Sequence, residues 1–299
     1  MSVRVGQPHA VVRAALWMGG ALLSFMGLAI GGRELSAELG TFQILFFRSL
    51  IGLVVVGLLL ARSGWRQVRT RRFGLHLLRN LAHYGGQYGW FYGLAFIPLA
   101  EVFAIEFTVP IWTAVLAPLL LGERLTRARG AAVALGIAGL LLILRPGAAV
   151  VNPAALAVLA AAVGYALSHT LTKKLSRTDT PLAILFYMTV IQLPLGLLPA
   201  LAEWVRPSLA LWPWLLAVGV TALTAHYCMA RAFMLADATV VVPLDFLRLP
   251  LIAVVGMLFY QEPLDWLVLA GGAIMLAGNL LNLQAERRSP WDRGRPARS

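Results

Sequence analysis

Charged residues are scarce in this sequence. Asp, Glu, Lys and Arg make up 13% of its 299 residues, whereas about 25% is usual for a water-soluble domain, so that class of protein is excluded. Hydrophobic residues make up 60%, and the mean hydropathy is +0.78. They occur in blocks of about 20 residues, the length a helix needs to cross the hydrocarbon of a bilayer. The sequence therefore predicts a membrane protein with many spans.

Cysteine and the common catalytic motifs are also missing. The single cysteine, Cys228, lies inside an apolar block, so neither an intramolecular disulfide nor a multi-thiol metal site can form, and we interpret it as a small packing residue. The sequence contains no GxxxxGKS/T motif and no HExxH motif, which argues against direct use of ATP and against a zinc hydrolase. We expect no cofactor, no metal and no catalytic residues.

The apolar blocks predict ten membrane-spanning helices and an all-α fold. We interpret the break at Ile97-Pro98-Leu99 as a tight hairpin between two spans, because a proline interrupts the apolar run there. No clear cleavage site follows the first block, so we expect it to be the first helix of the mature protein. The blocks fall at 11–31, 41–61, 75–96, 99–121, 127–145, 154–172, 181–202, 211–234, 238–260 and 266–284.

Basic residues between the blocks predict the orientation. Eighteen of the 25 Lys and Arg residues fall in the termini and loops of one side, and only three fall in the loops of the other. Cytoplasmic loops are enriched in Lys and Arg, so both termini are expected in the cytoplasm. The net charge of +12 is thereby explained by topology, and nucleic acid is not an expected partner. The Pro- and Arg-rich tail, 286–299, is expected to be disordered and to contact anionic membrane lipid.

The sequence repeats itself with an offset of 139 residues. This offset pairs Glu123 with Glu262 and Phe107 with Phe246, and also Tyr88 with Tyr227 and Gly139 with Gly278. After a short tail (1–10), each unit (11–147 and 152–285) contains five predicted helices, so the second must enter the membrane from the opposite side. Inverted repeats of this kind are typical of secondary transporters that open a central site to each side in turn.

The residues of both units carry a family resemblance. GERLT at 122–126 and QEPLD at 261–265, Arg48 in FFRSL, Pro110, and the glycines Gly136 and Gly139 match the tandem EamA domains of the drug/metabolite transporter superfamily. With its aromatic-rich third helix, the chain is similar to the YddG-type aromatic amino-acid exporters. The resemblance implies a ten-helix metabolite exporter with a cytoplasmic amino terminus. Gln261 replaces Gly122 and Tyr187 replaces Arg48 in the second unit, which argues against fully equivalent halves.

Polar and aromatic residues recur on single helix faces inside the predicted spans, where they are costly and suggest function. The third helix carries two such stripes beside a ridge of small residues (Gly85, Gly89, Gly93), and the eighth, its repeat equivalent, carries a shorter set. Anchoring at the membrane surface and hydrogen bonding between helices are the alternative interpretations. The residues predicted to line a substrate cavity are His83, Tyr84, Gln87, Tyr88, Trp112, Tyr165, His169, His226, Tyr227, Trp17 and Ser24.

Two carboxylates lie within the spans, and the repeat makes Glu106 and Asp245 equivalent. One interpretation is a protonatable site that couples transport to protons; the other is a set of salt bridges with Arg48, Arg79 or Arg248, of which Arg248 is one turn from Asp245. Prolines remove a helical hydrogen bond, so the helices that contain Pro110, Pro243 and Pro250 are predicted to hinge. Glu123 and Glu262 are expected to bind the first turn of the helix that follows each of them.

These features together predict a secondary transporter. It would export small metabolites, most simply aromatic or neutral amino acids, across the bacterial inner membrane by alternating access. Its partners would be the small-molecule substrate and membrane lipid. A passive facilitator or channel, and an exporter of another metabolite or drug, remain alternatives. An intramembrane enzyme is disfavoured because it would need a nucleophile pair or a metal cluster such as HExxH, and the sequence contains no HExxH.

Overall fold

The computed structural model describes residues 8–121, 126–146 and 152–288. The predicted N-terminal tail, the Glu123 turn and the C-terminal tail thus lie wholly or mostly outside the described residues. Twelve helices longer than a single turn occur in the described ranges. They are α1 (Pro8–Ser36), α2 (Thr41–Ser63), α3 (Phe73–Phe96), α4 (Leu99–Glu106), α5 (Val109–Leu121), α6 (Arg127–Leu144), α7 (Pro153–Leu175), α8 (Pro181–Ala200), α9 (Trp212–Leu235), α10 (Ala238–Phe246), α11 (Arg248–Tyr260) and α12 (Trp266–Arg288).

Nine segments of the described chain are long and apolar enough to cross a membrane. Two of them, 99–116 and 240–260, run across the short breaks between α4 and α5 and between α10 and α11. The 24-residue helix α3 is long enough to span but is not among the nine. It buries Arg79, Asn80, His83 and Gln87 on its inner face, and these residues lower its hydropathy. The all-helical class is confirmed, whereas a tenth span at α3 stays a prediction.

The fourth and ninth predicted spans are interrupted rather than continuous, which corrects their sequence-based outlines. The first breaks at Phe107 and Thr108, and the second at Leu247. Pro110 and Pro250 lie in the first turn of the helix after each break, where the missing N–H has no helical acceptor to lose. Pro243 lies inside α10 instead. Two broken helices, one from each repeat, therefore meet near the middle of the bundle.

The two repeats interlock rather than pack as separate blocks. The most extensive contacts between helices pair α1 with α9, α3 with α7, α2 with α8 and α6 with α12, so each pair joins the first repeat to the second. The crossing of α6 and α12 is symmetric: a Cβ on Gly139 would overlap the carbonyl of Gly271, and a Cβ on Gly278 would press on Ala132. The 139-residue offset makes Gly139 equivalent to Gly278 and Ala132 equivalent to Gly271. The two contacts are therefore equivalent, as a pseudo-twofold axis requires.

Small residues allow the close crossing of α3 and α7. A Cβ added to Gly89 or Gly93 would overlap atoms of Ala157 or Val158 on α7, and Gly86 contacts Tyr165. Gly85 faces open space. The predicted ridge of Gly85, Gly89 and Gly93 is therefore wrong in its first member, and Gly86 takes that position. Backbones that approach this closely are typical of helix pairs within membranes.

The two ends of the bundle differ in how the broken helices pack. At the end that carries the loops 37–40, 97–98 and 261–265, α4 packs against α11. At the opposite end, with the loops 64–72, 176–180 and 236–237, the described residues of α5 and α10 make no comparable contact. We call these the closed end and the open end. The outer surface between them is apolar, as lipid requires, with Leu16, Leu23, Leu119, Leu258 and Phe259 each more than 60% exposed.

Candidate transport site

A cavity of about 350 Å³ lies between the two broken helices. Its size falls within the range of about 300–1,000 Å³ that is usual for small-molecule sites. Its walls are aromatic and aliphatic, and a few polar and charged side chains project from eight helices. The lining residues are Phe25, Leu28, Arg48, His83, Gln87, Trp90, Phe91, Glu106, Phe107, Val109, Pro110, Tyr165, His169, His226, Met229, Phe233, Val242, Asp245, Phe246, Arg248 and Asn279.

Two of these residues define the symmetry axis. Phe107 and Phe246 stack almost parallel, with ring centroids 4.1 Å apart and an interplanar angle of 12°. The repeat offset makes them equivalent, and equivalent residues touch each other only at the axis that relates them. The cavity therefore lies on the pseudo-twofold axis, the position expected of a substrate site in an inverted-repeat transporter.

A buried charge network joins the two repeats at the cavity. Arg248 binds Asp245 in its own repeat (Nη2 to Oδ2, 2.8 Å) and Glu106 in the other (Nη1 to Oε1, 3.5 Å). The indole N–H of Trp90 donates to Glu106 (2.7 Å to Oε2). The guanidinium of Arg248 also lies over the rings of Phe25 and Phe107, with its central carbon 4.3 and 5.0 Å from the centroids. The salt-bridge interpretation of Glu106 and Asp245 thus describes this structure, with Arg248 as the shared partner.

A second polar cluster runs from the cavity toward the open end along α3. Gln192 bonds to His83 at Nδ1 (3.0 Å) and to Asn80 (3.2 Å). Arg79 donates to Asn80 (2.8 Å) and to Thr172 (3.1 Å). Gln192 lies on α8 and Thr172 on α7, so these bonds fix the polar face of α3 against the second repeat. Tyr165 and His169 stack on each other one helical turn apart (12° between ring planes) and also line the cavity.

The cavity lining includes some of the predicted residues and omits others. His83, Gln87, Tyr165, His169, His226, Glu106, Asp245, Arg248, Arg48 and the hinge residue Pro110 line it. The remaining predicted residues lie apart from its lining: Tyr84, Tyr88, Trp112, Tyr227, Trp17, Ser24, Arg79, Pro243 and Pro250. As substrate contacts, all of these residues remain predictions.

Several of the residues outside the lining have structural contacts of their own. Tyr227 is 57% exposed and packs edge-on against Trp17. Ser24 bonds to Thr224 across the α1–α9 pair (2.9 Å). The indole of Trp112 donates to Thr108 at the helix break (3.2 Å), and Tyr88 packs on Phe42. These are the helix-to-helix contacts that were the alternative interpretation of such side chains.

Sequence reasoning missed most of the aromatic wall. Trp90, Phe91, Phe25, Phe107 and Phe246 were not singled out as site residues. One signal was present, because Phe107 and Phe246 matched across the repeat. The others occupy apolar spans in which any phenylalanine fits, so their pattern does not separate a cavity wall from a lipid-facing surface. Within the described ranges, no group of three or more His, Cys, Asp or Glu side chains is placed to hold a metal ion.

Bonds between the repeats shut the closed end. Gln261, after α11, takes the left-handed conformation (φ 54°), and the N–H of Glu262 donates back to the Gly256 carbonyl at 3.0 Å. This turn directs Glu262 to the first turn of α4, where its Oε2 accepts the N–H of Leu99 (2.9 Å). Arg33 binds the other oxygen of Glu262 (3.0 Å). Glu262 was expected to bind the helix that follows it; it binds a helix of the other repeat instead.

The broken helices, the axial cavity and the interlocked inverted repeats define a multi-pass membrane transporter. The match to known families agrees: the model of the EamA-like transporter family matches residues 12–145 and again 152–284. The chain belongs to the EamA-like transporter family, within the drug/metabolite transporter superfamily. It is an integral protein of the bacterial plasma membrane.

Several characterised transporters are similar along nearly their whole length. A riboflavin transporter of Vibrio cholerae is 32% identical over 84% of this chain and 86% of that protein. An S-adenosylmethionine uptake transporter of Rickettsia bellii is 26% identical over 91% of this chain and 94% of that protein. A pseudopaline exporter of Pseudomonas aeruginosa is 30% identical over 82% and 86%. Transport of small metabolites is common to these proteins, whereas none is named for amino acids.

A solved crystal structure has the same fold. It superimposes with a TM-score of 0.65 over 92% of this chain and 98% of that chain, at 19% sequence identity. At that identity the likeness concerns the fold alone.

Proposed function

We propose that this protein is an alternating-access carrier that exports a small organic metabolite, most simply an aromatic or neutral amino acid. One observation carries the proposal. A cavity of about 350 Å³ lies on the axis between the broken helices of the two repeats. Bonds between the repeats shut one end, while at the other end the described residues of α5 and α10 make no comparable contact. A channel would instead need a path continuous from one face to the other.

The two inverted repeats allow the protein to alternate between two conformations. Near-equal inverted repeats can exchange conformations, and the exchange moves the opening from one face of the membrane to the other. In this structure α4 packs against α11, whereas the described residues of α5 and α10 make no comparable contact. The exchanged state would bring α5 and α10 together and separate α4 from α11. The breaks at Phe107–Thr108 and at Leu247 are where the helix halves would change direction.

The charge distribution supports an orientation for this cycle. The basic loops 64–72 and 173–177 belong to the open end, so the positive-inside rule places that end in the cytoplasm. This proposal includes α3 as the tenth span and both termini on the cytoplasmic side. The cavity would then be loaded from the cytoplasm, as export requires.

The lining supports a substrate with an apolar, planar body and a polar head. Aromatic rings of Trp90, Phe91, Phe107 and Tyr165 offer flat surfaces, while His83, Gln87 and the Arg248 network offer hydrogen bonds and charge. Amino acids with aromatic side chains have both parts. S-Adenosylmethionine, named for relatives of this chain, likewise joins an amino-acid group to a planar base.

Purified protein in liposomes tests the proposal. Vesicles loaded with one unlabelled compound are placed in a trace of the same compound in labelled form, and carrier-mediated exchange concentrates the label inside. The panel contains phenylalanine, tryptophan, leucine, S-adenosylmethionine and riboflavin, with protein-free vesicles as the control. We expect counterflow of at least one amino acid. Counterflow of riboflavin alone would reassign the substrate, and absence of exchange for every compound would remove the carrier function.

The same vesicles test the coupling hypothesis for the charged residues. An imposed pH gradient should drive net transport in the wild type if Glu106 or Asp245 releases a proton during the cycle. Glu106→Gln and Asp245→Asn should then retain counterflow but lose the response to the gradient. Unchanged gradient-driven transport in both variants would leave these carboxylates with the structural role that their bonds to Arg248 describe.

A further inference from the structure

Arg48 is a buried cation without a protein partner. Its side chain lines the cavity and the residue is 7% exposed. Its Nε has no hydrogen-bond acceptor, and the structure shows no hydrogen bond or ion pair between its guanidinium and any described residue. A guanidinium keeps its charge at every physiological pH, and an uncompensated buried charge is strongly unfavourable. Because it lines the cavity and has no protein acceptor, this guanidinium is available to an anion from outside the chain.

The other two buried arginines near the cavity differ in this respect. Arg248 binds the carboxylates of Asp245 and Glu106, and Arg79 donates to Asn80 and Thr172. Both carboxylates of the cavity lining are thus bonded to Arg248, and Arg48 has no bonded counter-ion among the described residues.

The fold itself does not require a cation at this position. In the second repeat the equivalent residue is Tyr187, which stacks on His76 (4.4 Å between centroids) and donates its hydroxyl to the Val68 carbonyl (2.9 Å). The equivalent of Arg48 is thus a packing residue at the open end. The cavity consequently has one unpartnered guanidinium rather than a symmetric pair, and a single ligand would be held in one polar orientation.

Other unsatisfied atoms of the lining complement this cation. The Oε1 of Gln87 (3% exposed) and the Oδ1 of Asp245 are buried and lack donors. One free donor group and two free acceptors in the same lining match a head that carries an anionic oxygen group and an N–H donor. The aromatic rings would hold the rest of the molecule.

We propose that Arg48 is the residue that recognises a carboxylate group of the transported substrate. The proposal rests on the function proposed above and narrows its substrates to compounds with a free carboxylate. Esters and amides of the same compounds, which have no anionic oxygen, would bind weakly. Arg48 would determine specificity at the cavity, while the aromatic wall would tolerate different side chains.

Binding to purified protein in nanodiscs tests carboxylate recognition separately from transport. The probes, measured by isothermal titration, are 3-phenylpropanoate and L-phenylalanine, their amides, and phenyl phosphate. A charge-assisted hydrogen bond contributes about 1.5–3 kcal/mol, which corresponds to about 10- to 100-fold in affinity. We expect the wild type to prefer each carboxylate over its amide by about that factor.

Substitutions of Arg48 test whether this residue causes the preference for carboxylates over amides. Arg48→Met keeps the length and removes the charge, and it should abolish the preference while amide binding stays the same. Arg48→Lys should retain part of it, because an ammonium is a charge without the planar fork of a guanidinium. Arg62→Met, at the exposed last turn of the same helix, is the matched control and should leave it intact. Thermal unfolding of each variant in detergent checks that the protein is folded.

Three results would overturn the proposal: no carboxylate binds the wild type, Arg48→Met keeps the preference, or phenyl phosphate binds more tightly than the carboxylates. The proposed carrier function fails on a different result, the absence of counterflow. Carboxylate binding that depends on Arg48 in a protein without counterflow would uphold the site and reject the carrier.

Discussion

Glu262 of the second repeat accepts a hydrogen bond from the backbone N–H of Leu99, the first residue of α4 in the first repeat, with 2.9 Å between Oε2 and N. Pro98, the residue before α4, offers no side-chain cap. The free N–H groups and positive dipole at the start of α4 are therefore met by a carboxylate from the opposite half. Separating α4 from α11 must break this bond.

Glu262→Gln should favour opening of the closed end. The amide can keep a hydrogen bond, but it loses the charge that interacts with Arg33 and with the helix dipole, worth about 1–2 kcal/mol or about 10-fold in the population of the opened state. The measurement is the labelling rate of Ala104→Cys, a fully buried position on α4, by a maleimide in a Cys228→Ser background. Glu203→Gln removes an exposed carboxylate at the same end and should not change the rate. An equal rate in Glu262→Gln would contradict the closing role.

Glu123→Gln should have the opposite effect. The repeat offset makes Glu123 the equivalent of Glu262 and Ala238, the first residue of α10, the equivalent of Leu99. Glu123 lies outside the described residues, so its role is inferred from the repeat alone. If Glu123 binds the start of α10 when the open end closes, Glu123→Gln should destabilise the conformation in which the closed end has opened. Ala104→Cys should then be labelled more slowly than it is without this substitution. Faster labelling would show that the two glutamates do not act as a symmetric pair.

The sequence predicted the repeat and the hairpin at Pro98 because each depends on local or periodic signals, whereas the hinge role of the prolines stays a prediction. The axial stack of Phe107 on Phe246 follows from the same offset once the fold is known. The sequence offered Arg48, Arg79 and Arg248 as partners of Glu106 but could not choose among them, because Arg248 is 142 residues away and only the crossing of the broken helices brings them together. For the same reason Glu262 was assigned to the wrong helix: its expected partner was near in sequence, and its actual one lies in the other repeat.

Arg248→Met should be strongly destabilising. It would leave the carboxylates of Glu106 and Asp245 without a counter-ion, with only the Trp90 hydrogen bond left to Glu106. Breaking a buried ion pair in this way costs about 3–5 kcal/mol. The check is thermal unfolding of the purified variant in detergent. Adding Glu106→Gln and Asp245→Asn to Arg248→Met should recover most of the lost stability, because no buried carboxylate would then remain without a counter-ion. A triple variant as unstable as Arg248→Met alone would assign the loss to packing around the arginine side chain.

Gln261→Gly should stabilise the turn after α11. Gln261 adopts φ 54°, a conformation that costs a residue with a Cβ about 1 kcal/mol and costs glycine almost nothing. The first repeat has glycine, Gly122, at the equivalent position. We expect the variant to gain about 0.5–1 kcal/mol against thermal unfolding while keeping the bond from Glu262 to Leu99. Gln261→Ala, which has a Cβ, is the control and should bring no gain; an equal gain in both variants would exclude the backbone explanation.

Asp179, in the loop between α7 and α8, should make stability depend on pH at the open end. Its carboxylate accepts bonds from His76 (3.2 Å) and Thr178 (2.6 Å). Burial raises the pKa of Asp179, but hydrogen bonds from Thr178, Thr70 and His76, and the charge of His76, together lower that pKa below its usual value. Because the folded pKa is the lower one, the stabilisation is complete above the unfolded pKa of about 3.9 and is lost as the pH falls through the folded pKa.

Asp179→Asn should therefore unfold at a lower temperature than the wild type at pH 7, with a deficit of about 1–3 kcal/mol for the weakened bonds to a charged group. The deficit should begin to shrink below about pH 4, the pKa of the carboxyl in the unfolded chain, and should vanish only below the lower pKa of the folded protein. Thermal unfolding of both proteins in detergent between pH 3 and pH 7.5 measures it, and the difference between the two curves isolates Asp179 from the other carboxylates. Curves that remain parallel over the whole range would show that the ionised carboxylate contributes nothing to holding this loop against α3.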